Sequence, residues 1–254
     1  MTLRIGRTLG NGLRRSLSMS GLVVFLCTAA SQLLLVAASN TLLTNLVRRY
    51  APEASLSTVG VTLPVSTTVA ALLSVAMTLF GTFVFVVGTR LFTRDQRSLS
   101  TVPRGVFTHR IGRAFVSALA VTIILTPLIT VGLILIIPGL FLAVSFQFAI
   151  FAIGVEDAGP ITALRRSWGV ARGNRWRLLG LVTVLTALAT LVSSVATLLS
   201  VISPAAGQIA SVIALAATVV WLYGMLADAY LQLTDNVADD EPTGGTATTV
   251  ADPL

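Results

Sequence analysis

Lysine is absent from this chain, cysteine and histidine occur once each, and charged residues fill only 11% of its 254 positions. Each scarcity removes a class of function. Cys27 has no second thiol with which to close an intrachain disulfide, and its place in an apolar run marks it as a small packed residue. His109 alone leaves no imidazole cluster for zinc, and it confines any histidine-bearing triad to its own segment. Gly6, Gly10 and Gly12 precede an apolar run but lack the Lys and Ser or Thr that complete a phosphate-binding loop. No Asp, Glu, Arg or His falls centrally in a long apolar run, so the ionisable relay of a proton-coupled transporter is missing. No catalytic constellation, cofactor motif or metal-ligand cluster is expected.

What the chain does have is apolar surface. Hydrophobic residues reach 55% and the mean hydropathy is +0.90, beyond globular usage. The fold class expected is all-α, a polytopic membrane protein of the cell membrane. The 17 basic residues are all arginine and give a formal charge of +7. On a soluble protein that balance points to nucleic acid. Here the arginines flank apolar runs, so the expected partners are anionic lipid head groups, with no nucleic acid.

Helices that cross about 30 Å of hydrocarbon need roughly 20 apolar residues. The uncharged stretch from Leu17 to Val47 supplies the first. It follows a basic segment and contains the small-residue run Ala37-Ala38-Ser39, but its apolar part exceeds that of a signal peptide, so an uncleaved span is expected. A second run extends from about Ser66 to Thr89. Between Arg90 and Arg113 lies a basic linker broken by Pro103 and Gly105. Ala114 to Val155 is uncharged for 42 residues, about two crossings, and Pro138-Gly139 is the natural hairpin within it. Leu178 to Ala227 is uncharged for 50 and breaks at Ser203-Pro204-Ala205-Ala206-Gly207. The reading is a six-helix domain over 1–233, with spans near 17–39, 66–89, 114–136, 139–155, 178–201 and 208–230, arranged as three hairpins. An acidic tail over 234–254 lacks apolar periodicity and reads as disordered.

The arginines orient this scheme. Four precede the first span, six lie between Arg90 and Arg113, and five between Arg165 and Arg177, all on one side; only Arg48 and Arg49 lie on the other. The positive-inside rule then places both termini in the cytoplasm.

Gly154 to Leu181 is the densest polar stretch between apolar runs. Pro160 opens a short helix there, Glu156 and Asp157 precede it, and Gly173-Asn174 ends it. Arg165, Arg166, Trp168, Arg172, Arg175, Trp176 and Arg177 suit a basic interfacial helix and its exit, in contact with head groups or a partner. Leu13-Arg14-Arg15-Ser16 repeats the residues of Leu164-Arg165-Arg166-Ser167, a hint of internal repetition. Small and hydroxyl residues form two rows: Thr183, Thr186, Thr190, Ser193 and Thr197 in the fifth span, and Gly81 and Gly88 in the second. Such rows read as helix-packing seams, with a hydroxyl-lined path for a polar solute as the alternative. Gln32, Asn40, Gln147 and Gln208 read as interhelical contacts.

The order IPGLFLAVSFQFAIFAIGVEDAGPITALRRSWGVARGNRWRLLGL resembles the membrane domain found beside glycerophosphodiester phosphodiesterases and in related stand-alone six-helix proteins of unknown function. Pro138, Gly139, Glu156, Ser167, Gly173, Asn174 and Trp176 carry the resemblance, and the all-arginine usage with an acidic tail resembles haloarchaeal members. The resemblance implies a membrane fold; the hydrolase activity belongs to a separate soluble domain. Three functions stay open: a non-enzymatic organiser of lipids or of a protein partner, a passive channel along the fifth helix, and an accessory domain for head-group metabolism.

Overall fold

An apolar chain in a medium without water can satisfy its backbone only internally, and long uncharged runs therefore close into helices. The computed structural model describes residues 5–53, 60–94, 110–135 and 137–240. Most of the expected linker over 95–109, including His109, Pro103 and Gly105, lies outside the described residues, as does the tail over 241–254. Among the described residues there are nine helices and no strand. In chain order they are α1 (Ile5–Ser16), α2 (Met19–Tyr50), α3 (Thr67–Phe92), α4 (Ile111–Ile134), α5 (Ile137–Phe146), α6 (Ala149–Glu156), α7 (Pro160–Ala171), α8 (Arg175–Ile202) and α9 (Pro204–Asp240). Six segments are long and apolar enough to cross a membrane: α2, α3, α4, the α5–α6 pair over Pro138–Glu156, α8, and α9 to Thr234.

The fourth of these is not one helix. It breaks at Gln147-Phe148, and the break is filled from outside. Ser167 of α7 donates to Ser145 O at 2.9 Å and accepts from Phe148 N at 3.2 Å. One hydroxyl thus serves a carbonyl and an amide that the interrupted helix leaves without their usual partners. The turn before α5 is equally tight: a Cβ built on Gly139 falls 2.3 Å from Leu133 N, so only glycine lets the two helices meet there. Pro127 sits inside α4, which continues through it to Ile134.

The last helix is the hub. It packs on α8, α1, α2 and α3. Its contact with α1 depends on two glycines, because a Cβ on Gly12 lies 2.9 Å from Met225 N and one on Gly224 lies 2.6 Å from Gly12 O. Beside that crossing, Asp228 accepts from Asn11 at 3.0 Å and from Gln232 at 2.6 Å. Those partners hold a buried carboxylate inside the bundle, so α9 does not end near Asp228 or at 233. It runs on to Asp240, and the first seven residues assigned to a disordered tail are helical. Below this crossing an aromatic layer joins α3, α6 and α9: Phe85 stacks on Tyr223 at 4.9 Å, and Phe151 lies 5.9 Å from Tyr223 and 5.8 Å from Tyr230.

The far end of the bundle is stitched by amides. Gln208 Oε1 accepts from Asn40 at 3.0 Å and from Val61 N at 2.7 Å, while Asn40 also donates to Val61 O at 3.0 Å. These side chains tie the strand of chain before α3 to α2 and α9, in line with an interhelical role for both amides.

The two small-residue rows behave differently from a packing seam. Thr183, Thr186, Thr190, Ser193 and Thr197 are all exposed on α8. Thr186, Thr190 and Thr197 donate instead to carbonyls one turn back in their own helix, at 2.9, 2.8 and 3.0 Å. The seam through α8 is therefore corrected: periodicity marked a real face, but α8 meets α9 through buried residues such as Leu181 and Ala196 on another. Gly81 is likewise no close approach, since a Cβ there meets nothing within 4 Å; at Gly88 it meets Val24 at 3.6 Å, an ordinary contact between α2 and α3.

Two substitutions test this architecture. Gly12→Val is expected to cost about 1–3 kcal/mol by overpacking, and Gly10→Val, in open space, far less; thermal melting of the two detergent-purified variants checks the difference. Ser167→Ala strands two buried backbone groups, at roughly 1–3 kcal/mol each, and should lower the melting temperature more than Ser66→Ala, which loses a single exposed N-cap bond from Val69 N at 3.4 Å. Equal losses in that pair count against the filled break.

Candidate functional site: a charged junction at the start of α8

The polar stretch singled out in the sequence folds against the ends of four other helices. Glu156 closes α6 and Asp157 follows it in left-handed backbone at φ 50. Neither acid caps α7, whose N-cap is Gly159 without a side-chain bond. Asp157 instead pairs with Arg90 of α3 at 2.7 Å, and Arg90 Nε donates to Gly154 O at 2.8 Å. Glu156 accepts from the Tyr230 hydroxyl and from Arg166 Nε, the latter at 3.2 Å. The expected helix-entry role thus gives way to cross-helix pairing, because Arg90, Arg166 and Tyr230 converge on the acids from three directions. Burial disfavours the Arg166 charge, but the Glu156 carboxylate and the Tyr230 hydroxyl together more than offset this and raise its pKa above the ordinary value.

Helix α7 docks through small residues. Ala163, Ser167, Val170 and Ala171 are buried, whereas Ile161 is 66% exposed. The face turned to the bundle is thus the one that permits close approach to α5 and α6; Leu164 and Trp168 flank it, the latter against Phe141 and Phe146 of α5, and Ile161 turns away. Arg165 and Arg172 point outward and are exposed, as are Arg166, Arg177 and Trp176.

Arg175 is the exception among the seven sequence-predicted contact residues. Its guanidinium lies 4.2 Å from the Trp168 ring centroid and 4.5 Å from that of Phe141. Two cation–π contacts contribute roughly 0.5–2 kcal/mol each. The sequence offered no sign of Phe141, which α5 brings in from 34 residues upstream. A cavity of about 550 Å³ opens beside this stack, lined by Leu140, Phe141, Val144, Gly173, Arg175, Trp176 and Leu179.

Two further members of the junction also escaped the sequence reading. Arg15, buried although it lies in a basic N-terminal segment, donates to Phe92 O and to Arg94 O, the latter at 2.8 Å, and so covers the C-terminus of α3. Tyr230 joins the aromatic layer to Glu156. Its signal was faint but present, since Tyr223 and Tyr230 are seven residues apart and share a face of α9. Among the described residues no three His, Cys, Asp or Glu side chains converge as a metal site requires.

Comparison with curated proteins and with solved structures finds no match. One family model does match, over residues 3–233, and nothing in it links the chain to the membrane domain found beside glycerophosphodiester phosphodiesterases. Its limits take in all six apolar segments almost to the end of the last one. The chain therefore belongs to the family described as a domain of unknown function, DUF7847.

Proposed function

We propose that this protein is a non-enzymatic component of the cell membrane, with both termini in the cytoplasm, that organises anionic lipids through the arginine-rich edge formed by α7 and the start of α8. One observation supports this reading above the others. Glu156 and Asp157, the acids a head-group enzyme would use, are both paired with arginines, Asp157 with a largely buried Arg90 and Glu156 with Arg166 at the surface, while Arg165 and Arg172 point away from the bundle. Trp176 is 85% exposed next to them. Exposed arginine beside exposed tryptophan is the composition of a headgroup-depth surface. A protein partner with an acidic face is the other occupant such a surface accepts.

A passive path along α8 draws on the same hydroxyl row, yet in a single chain those hydroxyls face outward and bond to their own helix. A cavity of about 430 Å³ between the far ends of α8 and α9, lined by Thr197, Ser200, Gln208 and Ser211 among others, is the place such a path would start. The resemblance to a phosphodiesterase-associated membrane domain supports an accessory role in head-group metabolism.

Lipid co-purification separates these readings. Wild-type protein extracted in mild detergent should carry lipid enriched in anionic species over the source membrane. Each arginine near an anionic surface contributes about 1 kcal/mol, so Arg165→Gln with Arg172→Gln should cut that enrichment roughly thirtyfold. Unchanged enrichment sinks the proposal. Asp157→Asn, by contrast, should lower the melting temperature by removing the partner of a largely buried Arg90 while leaving the lipid profile as it was.

A further inference from the structure

Arg175 has donors left over. Trp168 and Phe141 meet edge to face at 5.6 Å and form a corner that holds the guanidinium carbon 4.2 and 4.5 Å from their centroids; the rings offer its N–H groups no oxygen acceptor. Nε and Nη2 are buried, and neither has a hydrogen-bond partner among the described residues. These two groups share one edge and point the same way, the fork that grips two oxygens of a single phosphate or carboxylate. A buried, unfilled fork is unusual in a folded protein and asks for an acceptor beyond those the described residues supply.

The adjoining cavity indicates what carries that acceptor. Apart from Arg175 and Gly173, its walls are the side chains of Leu140, Phe141, Val144, Leu179 and Trp176. At about 550 Å³ it falls within the range of small-molecule sites. A free inorganic anion would fill the fork and leave those apolar walls uncovered. A zwitterionic lipid brings a phosphate already neutralised by its own amine. An anionic phospholipid matches both halves at once.

We propose that this cavity binds one anionic phospholipid per chain, its phosphate held by Arg175 Nε and Nη2 and an acyl chain lying along Leu140, Val144 and Leu179. The proposal rests on the lipid reading above and sharpens it, adding one stoichiometric site to a diffuse basic surface. Arg165 and Arg172, outside the cavity, draw anionic lipid to this edge; Arg175 selects a single molecule from that population.

Native mass spectrometry of the full chain released from mild detergent tests it, with phosphatidylglycerol, phosphatidylcholine and inorganic phosphate offered separately. Wild type should retain one phosphatidylglycerol, hold it against phosphatidylcholine, and not release it to inorganic phosphate. Arg175→Gln should weaken retention about tenfold or more through loss of the charged fork. Leu179→Trp, which fills the cavity and leaves the fork intact, should do the same, and Leu191→Trp, exposed on α8 outside the cavity, should not. Melting curves confirm that each variant is folded; if Arg175→Gln is not, Leu179→Trp and the phosphate competition decide the matter. The site is overturned if wild type keeps no lipid, if both cavity variants keep it unchanged, or if inorganic phosphate displaces it. In any of those cases the lipid enrichment of the Arg165→Gln, Arg172→Gln protein still judges the broader reading on its own.

Discussion

A helix that ends inside a bundle leaves carbonyls and amides with no water to turn to, and in this protein other helices supply the missing partners. Arg15 of α1 covers the end of α3. Arg90 of α3 reaches the end of α6, and Ser167 of α7 fills the gap between α5 and α6. At the far end, Gln208 of α9 serves the chain before α3. Left unmade, each such bond costs roughly 1–3 kcal/mol. Apolar side chains alone give little direction to helix association in lipid. These side-chain to backbone bonds give direction, because each works at one position only.

The same requirement divides the arginines into two populations. Arg15 and Arg90 are turned inward and consumed by carbonyls and a carboxylate. Arg165 and Arg172 are turned outward. Charge counting along the chain cannot tell them apart, although only the second group is available to a lipid or a partner. The repeated Leu-Arg-Arg-Ser has a structural echo here. Ser16 donates to Val220 O of α9 at 3.2 Å and Ser167 to Ser145 O of α5 at 2.9 Å. In both copies the serine after two arginines fastens its helix to the backbone of another.

Much of the architecture was legible because its signals are long and one-dimensional. An uncharged run of 50 residues with Ser203-Pro204 near its middle leaves few options other than two helices. Pro160 and Gly173 bounded a short helix that the structure places over Pro160–Ala171. What escaped depends on direction in three dimensions. The break at Gln147-Phe148 has no proline or glycine to announce it; it exists because Ser167, from a later helix, sustains it. The hydroxyl row of α8 gave a correct face and a wrong destination, since periodicity says which residues share a side and not what that side meets. Asp228 follows the last uncharged run yet is buried inside the bundle, because Asn11, more than two hundred residues upstream, donates to its carboxylate.

That last pairing has a consequence for biosynthesis. Helix α1 leaves the ribosome first, yet Asn11 and Gly12 find their partners only in α9, 217 residues later in the case of Asn11 and Asp228. At roughly 5–20 residues per second, that is a delay on the order of 10–40 s. Through that interval the side of α1 that meets α9 is without that partner and lies against the membrane surface, while its contact with α2 and the Arg15 bonds to the end of α3 form earlier. The bundle can then close only after its final helix has been inserted, so a chain truncated before α9 lacks the surface on which its own first helix docks. The fold closes when α9 is in place, and the Gly12–Gly224 crossing is the latch that records it.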